Sequence, residues 1–239
     1  MTDEIGYLLQ DPGDPASEVH LSSKPALRNY IRFADEIRWF LDAGDHVLDW
    51  GCGLGQMTWL LERRGLSVTS YDTGRAPAKK LIIHPDRIIL GKDPVRLPFT
   101  SASFDAVVSC GVLEHVVDEM GSLKEIKRVL KPGGLFFVYQ LPQRYAYTEL
   151  INRWRGLWHH PRGYTPQSIS RKLEAVSFRV VQQRRANSLP KNLTGLPPLA
   201  RRAYNRIACL VDLVDLGLSK VPLLNLLCHS IEIIAEVEG

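Results

Sequence analysis

A glycine-rich turn between a strand and a helix contains the residues with the clearest chemical meaning. Residues 47–50 form a short apolar run that includes one acid, Asp49, and Gly51, Gly53 and Gly55 follow it at alternate positions. Glycine lets a backbone turn sharply and approach a ligand without a Cβ clash, and the first amides of the next helix have no partner within that helix. The segment therefore predicts a ligand-binding turn, although a tight strand–helix turn alone would give the same pattern.

A second acidic residue ends the next predicted strand. Asp72 lies about twenty residues after the turn, where a carboxylate can accept both ribose hydroxyls of a nucleoside. The dinucleotide fingerprint G-x-G-x-x-G has its third glycine three residues after the second, but Gln56 and Thr58 occupy the positions at that spacing from Gly53 and Gly55. The pattern therefore indicates a nucleoside-containing ligand and departs from the fingerprint of dinucleotide-binding proteins.

Alternating strand and helix patterns position these residues. Such alternation predicts an α/β fold with a parallel sheet covered by helices on both faces, in which ligands bind at the carboxyl ends of the strands. The predicted strands span residues 47–50, 67–71, 87–90, 104–110, 135–140, 178–185 and 231–237. The predicted helices span residues 25–41, 56–64, 116–130, 166–176 and 199–216.

Further motifs follow in order, and the whole series resembles a known family. The added motifs are Leu97-Pro98-Phe99, Ser103-Phe104-Asp105, Leu113-Glu114-His115 and Leu130-Lys131-Pro132-Gly133-Gly134. With the glycine turn and Asp72, they resemble class I methyltransferases that use S-adenosylmethionine (SAM), most nearly the small-molecule branch that includes quinone-biosynthesis methyltransferases. The resemblance covers about residues 45–141. It implies a Rossmann-like, seven-stranded, mostly parallel sheet in the order 3-2-1-4-5-7-6, with strand 7 antiparallel and a helical insertion at about 190–228 between strands 6 and 7.

The resemblance also implies a role for each matching residue, with S-adenosylhomocysteine as the product. The implied contacts of the amino acid end of SAM are Asp49, Gly51, Cys52 and Gly53, with Cys110 and Gly111 bordering the methionine part. The implied contacts of the nucleoside are Asp72 for the ribose hydroxyls, Thr73 near the adenine and Asp93 for the adenine amino group. At Pro94, relatives usually offer a backbone N–H to the adenine ring, and proline has none.

A second departure from the family concerns metal binding. Some quinone-type relatives use a glutamate three residues before the Leu-Glu-His glutamate in a magnesium site, and this chain has Gly111 there. Glu114 and His115 remain, but two ligands make a poor site, so we predict no catalytic metal. His115 is a candidate general base, because imidazole titrates near neutral pH. The interpretation that we favour is that Glu114 and His115 cap the start of the next helix.

The acceptor side is expected from the segment that follows the fifth strand. Residues 142–166 are aromatic and basic, which suits a lid over a ring, a glycan or a phosphate-bearing acceptor. The candidates for acceptor contact or general base in this segment are Tyr145, His159 and His160.

The charge of the chain is unevenly distributed. The net charge is +4, yet residues 144–220 carry fourteen Lys and Arg against four acids. This basic part favours anionic partners, and peripheral membrane contact through residues 199–227 is one interpretation; an ordinary helical cap or a homodimer interface is another. Residues 1–23 are expected to form a flexible arm before a single domain at 24–239. Neither a signal peptide nor a membrane span is predicted, so we expect a cytoplasmic protein, with the inner membrane surface as a further location.

Three functions are compatible with these observations. The first is O-methylation of a small or lipid-linked acceptor, such as an anionic glycolipid, a sugar or a prenylated ring. The second is RNA methylation, which is disfavoured because no RNA-binding module or long Lys/Arg tract is found. The third is a SAM-binding scaffold without catalysis.

Overall fold

In the part of the chain that the structure describes, seven β-strands form one central sheet. The structure is a computed structural model and describes residues 2–9, 21–74, 81–156, 159–193 and 197–238. The strands are β1 His46–Trp50, β2 Ser67–Asp72, β3 Ile88–Leu90, β4 Phe104–Cys110, β5 Leu130–Pro142, β6 Phe178–Ala186 and β7 Ser230–Val237. Their order is β3-β2-β1-β4-β5-β7-β6, and β7 runs antiparallel to both β5 and β6. The predicted fold class, strand order and antiparallel strand 7 are confirmed.

Eight α-helices and two short 3-10 helices surround the sheet in the described part of the chain. The α-helices are α1 Thr2–Leu8, α2 Lys24–Phe40, α3 Gln56–Glu62, α4 Glu119–Val129, α5 Tyr147–Trp154, α6 Pro166–Glu174, α7 Pro198–Arg206 and α8 Ala208–Lys220. The 3-10 helices are Pro85–Arg87 and Leu224–Leu227. None of the described helices combines the length and the apolar character that crossing a membrane would need.

The core consists of two apolar layers, one on each face of the sheet. On one face α2 and α3 contribute residues such as Leu27 and Leu60, while α4 and α6 contribute residues such as Leu123 and Ile169 on the other. Because the central strands are buried on both faces, they consist of near-continuous apolar residues. Asp49 is the acidic exception in β1, which makes its position in the sheet informative.

The N-terminal segment differs from the expected flexible arm over residues 1–23. Thr2–Leu8 form helix α1, in which Leu8 is buried and Tyr7 stacks on Trp59 of α3 with ring centroids 4.5 Å apart. Leu21 and Ser23 are buried, and Ser23 caps α2 by accepting a hydrogen bond from the Ala26 N–H. The expectation is therefore wrong at both ends of the segment, because apolar side chains in it pack on the domain. Residues 10–20 lie outside the described part of the chain.

Helix α4 begins three residues later than predicted, and its cap is a different residue. Asp118 is the N-cap, and its Oδ1 accepts a hydrogen bond from the Gly121 N–H at 2.9 Å. The interpretation that Glu114 and His115 cap this helix is wrong, because Asp118 occupies that position. Strand β5 begins at Leu130 instead of residue 135, and a register shift between Phe104 and Ala106 of β4 accommodates the extra residues.

The insertion between β6 and β7 and the segment 142–166, which was predicted to be a lid, contain more helices than expected. The single helix expected over 199–216 is divided at Ile207 into α7 and α8, and the insertion lies between β6 and β7. No helix was predicted between residues 142 and 165, but Tyr147–Trp154 form α5. Residues 157–158 of the lid and 194–196 of the insertion lie outside the described part.

Candidate active site

The glycine turn lies where the carboxyl ends of three strands meet. Strand β1 is hydrogen-bonded to β2 on one side and to β4 on the other, so residues that follow these strands converge at one edge of the sheet. Gly51 has φ of +74°, and a Cβ there would lie 2.5 Å from Cγ2 of Val112, which follows β4. Only glycine satisfies both the backbone conformation and the close approach of the Val112 side chain.

Asp72 holds the glycine turn and faces the cleft at the end of β2. Its Oδ2 accepts a hydrogen bond from the Gly53 N–H at 2.8 Å, and its Oδ1 accepts one from the Gly74 N–H at 2.8 Å. Each carboxylate oxygen has two lone-pair positions, so both oxygens retain capacity for a ligand hydroxyl. The geometry therefore presents a fixed pair of acceptors beside the turn.

Asp49 is a buried carboxylate with few partners. Its side chain is 2% exposed, and Oδ2 accepts hydrogen bonds from the Thr58 N–H at 3.0 Å and the Thr58 hydroxyl at 2.7 Å. Burial raises the pKa of Asp49 to about 6, against the lowering effect of these hydrogen bonds. At the start of α3, Gln56 is buried with its Oε1 unpartnered. A ligand that brings a positive charge here would compensate both groups.

Tyr30 of α2 completes this part of the site and was not predicted from the sequence. Its ring is buried, and its hydroxyl interacts with the side chains of Gln56 and Gln140 near Asp49 and Cys110. Burial raises the pKa of the Tyr30 phenol, which is therefore a neutral hydrogen-bonding group. In the sequence Tyr30 lies on the apolar face of a predicted helix. Its hydroxyl group, which is unusual on such a face, was the one sequence feature that could have indicated a role in the site.

A cleft of about 150 Å³ opens beside the turn. Its wall is formed by residues from the ends of β1 and β2 and from the loops that follow β3 and β4. The lining residues are Trp50, Gly51, Tyr71, Asp72, Thr73, Pro94, Val95, Leu97, Val112, His115, Val116 and Val117. Most of these side chains are apolar, which suits a ligand with a flat apolar part and a few polar groups.

The loop at Asp93 is held by hydrogen bonds between the Asp93 side chain and the backbone of the residues that follow it. Asp93 Oδ1 accepts hydrogen bonds from the N–H groups of Val95 and Arg96, both at 2.8 Å, and these bonds lower the pKa of Asp93. Because Pro94 has no N–H, residues 94–96 present no uncommitted backbone N–H to the cleft. The sequence departs from the family pattern at Pro94, which cannot donate a backbone hydrogen bond to a ligand. In the structure the same holds for Val95 and Arg96, because their N–H groups already donate to Asp93.

Cys110 and Gly111 lie at the end of β4, as predicted, on the side of Tyr30. The Gly111 N–H donates to the Tyr139 carbonyl at 3.0 Å, and Gly111 has φ of +68°. Burial raises the pKa of the Cys110 thiol well above its usual range. Cys52 is also buried and its thiol pKa is raised by burial. Both thiols are therefore protonated, and neither is set up as a nucleophile.

Four titratable side chains from four parts of the chain form a histidine cluster next to the cleft: His115, Glu149, His160 and His229. Glu149 is 6% exposed, and its carboxylate accepts from His160 twice, at Nδ1 (2.7 Å) and at the backbone N–H (3.0 Å). The ring of His160 lies 6.0 Å from that of His115 and 6.2 Å from that of His229, between centroids. His115 also lines the cleft, so the cluster and the cleft adjoin.

Burial shifts the pKa values of Glu114, His115 and His229. Burial raises the pKa of neighbouring Glu114 to about 7, and its buried Oε2 has no partner. The pKa of His115 is lowered by burial and by the nearby His160 and Arg162, and burial also lowers the pKa of His229. The imidazoles of His115 and His229 are therefore held neutral near pH 7.

Other predicted acceptor-side residues are placed apart from this arrangement. Tyr145 is 55% exposed before α5, and His159 is exposed beside the cluster member His160.

We predicted no catalytic metal because the sequence offered only two ligands, Glu114 and His115. The structure places a third candidate ligand, His160, beside them. Ligand atoms of Glu114, His115 and His160 all lie within 4.8 Å of one another.

Two members of the cluster were not predicted from the sequence. Glu149 is in α5, a helix that was not predicted, and His229 directly precedes β7. A hydrogen bond of 2.7 Å joins Nδ1 of His229 to the Thr148 hydroxyl. Thr148 and His229 are 81 positions apart in the sequence. Glu149 and its partner His160 are 11 positions apart. No local spacing in the sequence signals them.

Comparison with known proteins assigns the central part of the chain. Residues 48–138 match the family described as "Methyltransferase domain". A ubiquinone biosynthesis O-methyltransferase of Parvibaculum lavamentivorans is 31% identical over 142 residues, covering 54% of this chain and 56% of that protein. The 2-methyl-6-phytyl-1,4-hydroquinone methyltransferase of Synechocystis is 31% identical over 199 residues, covering 73% and 62%. The chain thus spans less than two thirds of the length of either relative.

A solved structure shows the same fold. It is the 1,6-didemethyltoxoflavin-N1-methyltransferase of Burkholderia thailandensis with bound 1,6-didemethyltoxoflavin and S-adenosylhomocysteine. It aligns with a TM-score of 0.56 at 19% identity, covering 88% of this chain and 79% of that chain. The family match, the two sequence relatives and the strand order together identify residues 48–138 as a class I SAM-dependent methyltransferase domain that resembles those of quinone-biosynthesis enzymes.

Proposed function

We propose that the protein binds SAM in the cleft and transfers its methyl group to a hydroxyl of a small or lipid-linked acceptor. The observation that carries this proposal is the placement of Asp49, the glycine turn and Asp72 around one cleft at the carboxyl ends of β1 and β2. Their chemistry matches the parts of SAM. The fixed acceptors of Asp72 suit the ribose hydroxyls, and Thr73 and the apolar wall suit the adenine.

The buried end of the site fits the amino acid part of the cofactor. The ammonium of SAM would compensate the buried Asp49 carboxylate and the unpartnered Gln56 Oε1. Gly51, Cys52 and Gly53 would bring the backbone close to it, and Cys110 and Gly111 would border the methionine chain. Residues 94–96 would offer no free backbone N–H to the adenine ring. Of this loop, only the exposed carboxylate of Asp93 would contact the adenine.

The acceptor is proposed to enter at the histidine cluster. SAM supplies an electrophilic methyl group on a sulfonium, so the residues of the chain need to position an oxygen in line with it and exclude water. Because Glu149 accepts from Nδ1 of His160, the basic nitrogen of His160 is Nε2. The acceptor proton would pass to this nitrogen as the new oxygen–carbon bond forms and the carbon–sulfur bond breaks. His115, Tyr145 and His159 remain candidates for acceptor contact.

The class of acceptor is inferred from the relatives and from charge. One relative is named for ubiquinone and another for a prenylated hydroquinone, and both names describe ring substrates of quinone type. The basic part of this chain adds a preference for an anionic group. We therefore propose a prenylated ring, an anionic glycolipid or a lipid-linked sugar, which the enzyme would meet at a membrane surface.

A methyl-transfer assay tests the proposal. The protein is incubated with SAM carrying a tritiated methyl group and, separately, with a prenylated hydroquinone, a polyprenyl-linked sugar phosphate and total RNA. We expect label in the organic extract of a lipid-linked acceptor, and none with Asp72→Ala. Label in RNA would support the alternative of RNA methylation. Binding of S-adenosylhomocysteine without transfer to any class would favour the non-catalytic scaffold.

The pKa of Asp49 predicts a pH dependence of cofactor binding. An ammonium ligand prefers the ionised carboxylate, so protonation of Asp49 in the free protein competes with binding. We expect the affinity for S-adenosylhomocysteine to be constant above about pH 7 and to decrease as the pH falls through about 6. Calorimetric titration between pH 5 and 8 measures this.

Two variants separate Asp49 from the histidines. Asp49→Asn is expected to bind more weakly and to lose the decrease near pH 6. His115→Gln, which removes a titrating ring from the cleft wall, is expected to retain it. A decrease that persists in Asp49→Asn would assign the titration to another group.

A further inference from the structure

The insertion between β6 and β7 exposes an unusual amount of apolar surface. Of the 23 large apolar side chains that are exposed in the described part of the chain, eleven lie between residues 199 and 227. They include Leu199 at 78%, Leu213 at 67% and Leu223 at 76% exposure. Single exposed leucines are common, but eleven exposed apolar side chains within one segment of 29 residues indicate an interaction surface.

Helix α8 is oriented with its acids inward and its leucines outward. Asp215 is buried and bonded to Lys191 at 3.0 Å, and its Oδ1 accepts the Leu189 N–H at 2.8 Å. Asp212 pairs with Lys191 at 3.1 Å and with Arg28 of α2. A helix that covers a protein core normally has the opposite orientation. The ion pairs therefore fix α8 so that Leu210, Leu213 and Leu216 face solvent, and we call this surface with the turn Leu224–Leu227 the apolar face.

The charges around the apolar face have one sign. Arg202 and Arg206 on α7 and Lys220 at the end of α8 are exposed. The acids between residues 144 and 220 are Glu149, Glu174, Asp212 and Asp215. Glu149 and Asp215 are buried, Asp212 is paired, and Glu174 belongs to α6. A second copy of this chain would bring the same cations against this rim, whereas an anionic bilayer complements both its apolar and its cationic groups.

The apolar face is directly connected to the histidine cluster. The side-chain amide of Gln143 donates to the Leu226 carbonyl within the turn Leu224–Leu227. His229 follows two residues after this turn and bonds to Thr148 of α5. A molecule whose tail remains in a bilayer under the apolar face would therefore have its head group near the cluster.

We propose that the apolar face docks on an anionic lipid bilayer and thereby presents lipid-linked acceptors to the histidine cluster. The part concerning acceptors rests on the proposed function; the docking itself does not. The leucines of α8 and of the turn lie among the lipid head groups, and Arg202, Arg206 and Lys220 contact lipid phosphates. The inward ion pairs with Lys191 and Arg28 hold α8 in this orientation.

Vesicle flotation of the full chain tests the docking. Wild-type protein is mixed with vesicles of equal parts phosphatidylglycerol and phosphatidylcholine at low salt, or with pure phosphatidylcholine. We expect flotation with the anionic vesicles and at least tenfold weaker partitioning to the neutral ones. The pair Leu213→Gln with Leu216→Gln is expected to weaken anionic partitioning tenfold or more, as is Arg202→Gln with Arg206→Gln.

The matched control is Trp39→Gln on α2, a large apolar side chain that is 89% exposed elsewhere. It is expected to leave flotation unchanged. Absence of wild-type flotation with anionic vesicles overturns the proposal, and so does equal loss in Trp39→Gln. A wild-type dimer in light scattering that the two glutamine substitutions on α8 convert to monomers also overturns it. Thermal stabilisation by S-adenosylhomocysteine, measured on the same variants, shows separately whether the cofactor site is intact.

Discussion

Asp72→Ala is expected to abolish the thermal stabilisation that S-adenosylhomocysteine gives to the wild-type protein. A ligand at about one hundred times its Kd adds roughly 2.7 kcal/mol to the free energy of unfolding. For a domain of this size, that corresponds to an increase in Tm of about 5–10 °C. Hydrogen bonds to a charged group contribute about 1.5–3 kcal/mol each, and Asp72 is proposed to make two of them. Their loss would raise the Kd more than a hundredfold and remove the shift.

A control is needed because Asp72 also holds the turn through Gly53 and Gly74. Asp105 is a matched acid at the opposite end of the sheet, where its Oδ2 accepts the His46 N–H at 2.9 Å and its Oδ1 binds Lys131. Asp105→Ala is expected to lower the Tm without ligand but to keep the ligand-induced increase. A normal increase in Asp72→Ala would show that the ribose is held elsewhere, and the assignment of the cofactor site would be wrong.

The placement of the proposed cofactor residues at one edge of the sheet could be predicted from the sequence because these residues are local. Asp49, the glycine turn and Asp72 follow two strands that are adjacent in the sheet, and the hydrogen bond from Gly53 to Asp72 spans only nineteen positions. Alternation of strands and helices predicts the parallel α/β sheet, whereas the strand order and the antiparallel strand 7 were implied by the resemblance to the family. The same reasoning does not identify Tyr30, because a helix residue reaches this edge only through packing of α2.

The acceptor half depends on contacts between distant residues. Glu149 was missed because α5 has no side-chain cap and only eight residues, so its helical pattern is short. His229 joins the cluster only because the antiparallel strand β7 returns its N-terminal end to the end of β5. The inward orientation of Asp212 and Asp215 likewise depends on Lys191 and Arg28, which lie outside α8.

Glu149→Gln is expected to reverse the tautomer of His160 and to lower methyl transfer to the hydroxyl acceptor by about 10²–10⁴-fold. The carboxylate has two oxygens and accepts both the His160 backbone N–H and Nδ1–H. Glutamine has one oxygen and one NH₂ group. The backbone N–H cannot change its protonation, so it takes the oxygen, and the NH₂ group then faces Nδ1. His160 must carry its proton on Nε2, where it can no longer accept one from the acceptor.

The tautomer can be observed without any acceptor, by long-range ¹H–¹⁵N correlation of the histidine rings. The His160 signals are assigned by their absence in His160→Asn, and we expect an Nδ1–H ring in the wild type and an Nε2–H ring in Glu149→Gln. Stabilisation by S-adenosylhomocysteine should be equal in both proteins, because Glu149 lies outside the cleft lining. Glu174→Gln, at an exposed acid of α6, should change neither the tautomer nor the rate. If the tautomer reverses while the rate remains within about threefold of wild type, the acceptor proton does not leave through His160, and the three ligand atoms of Glu114, His115 and His160 become the group to test with added divalent metal.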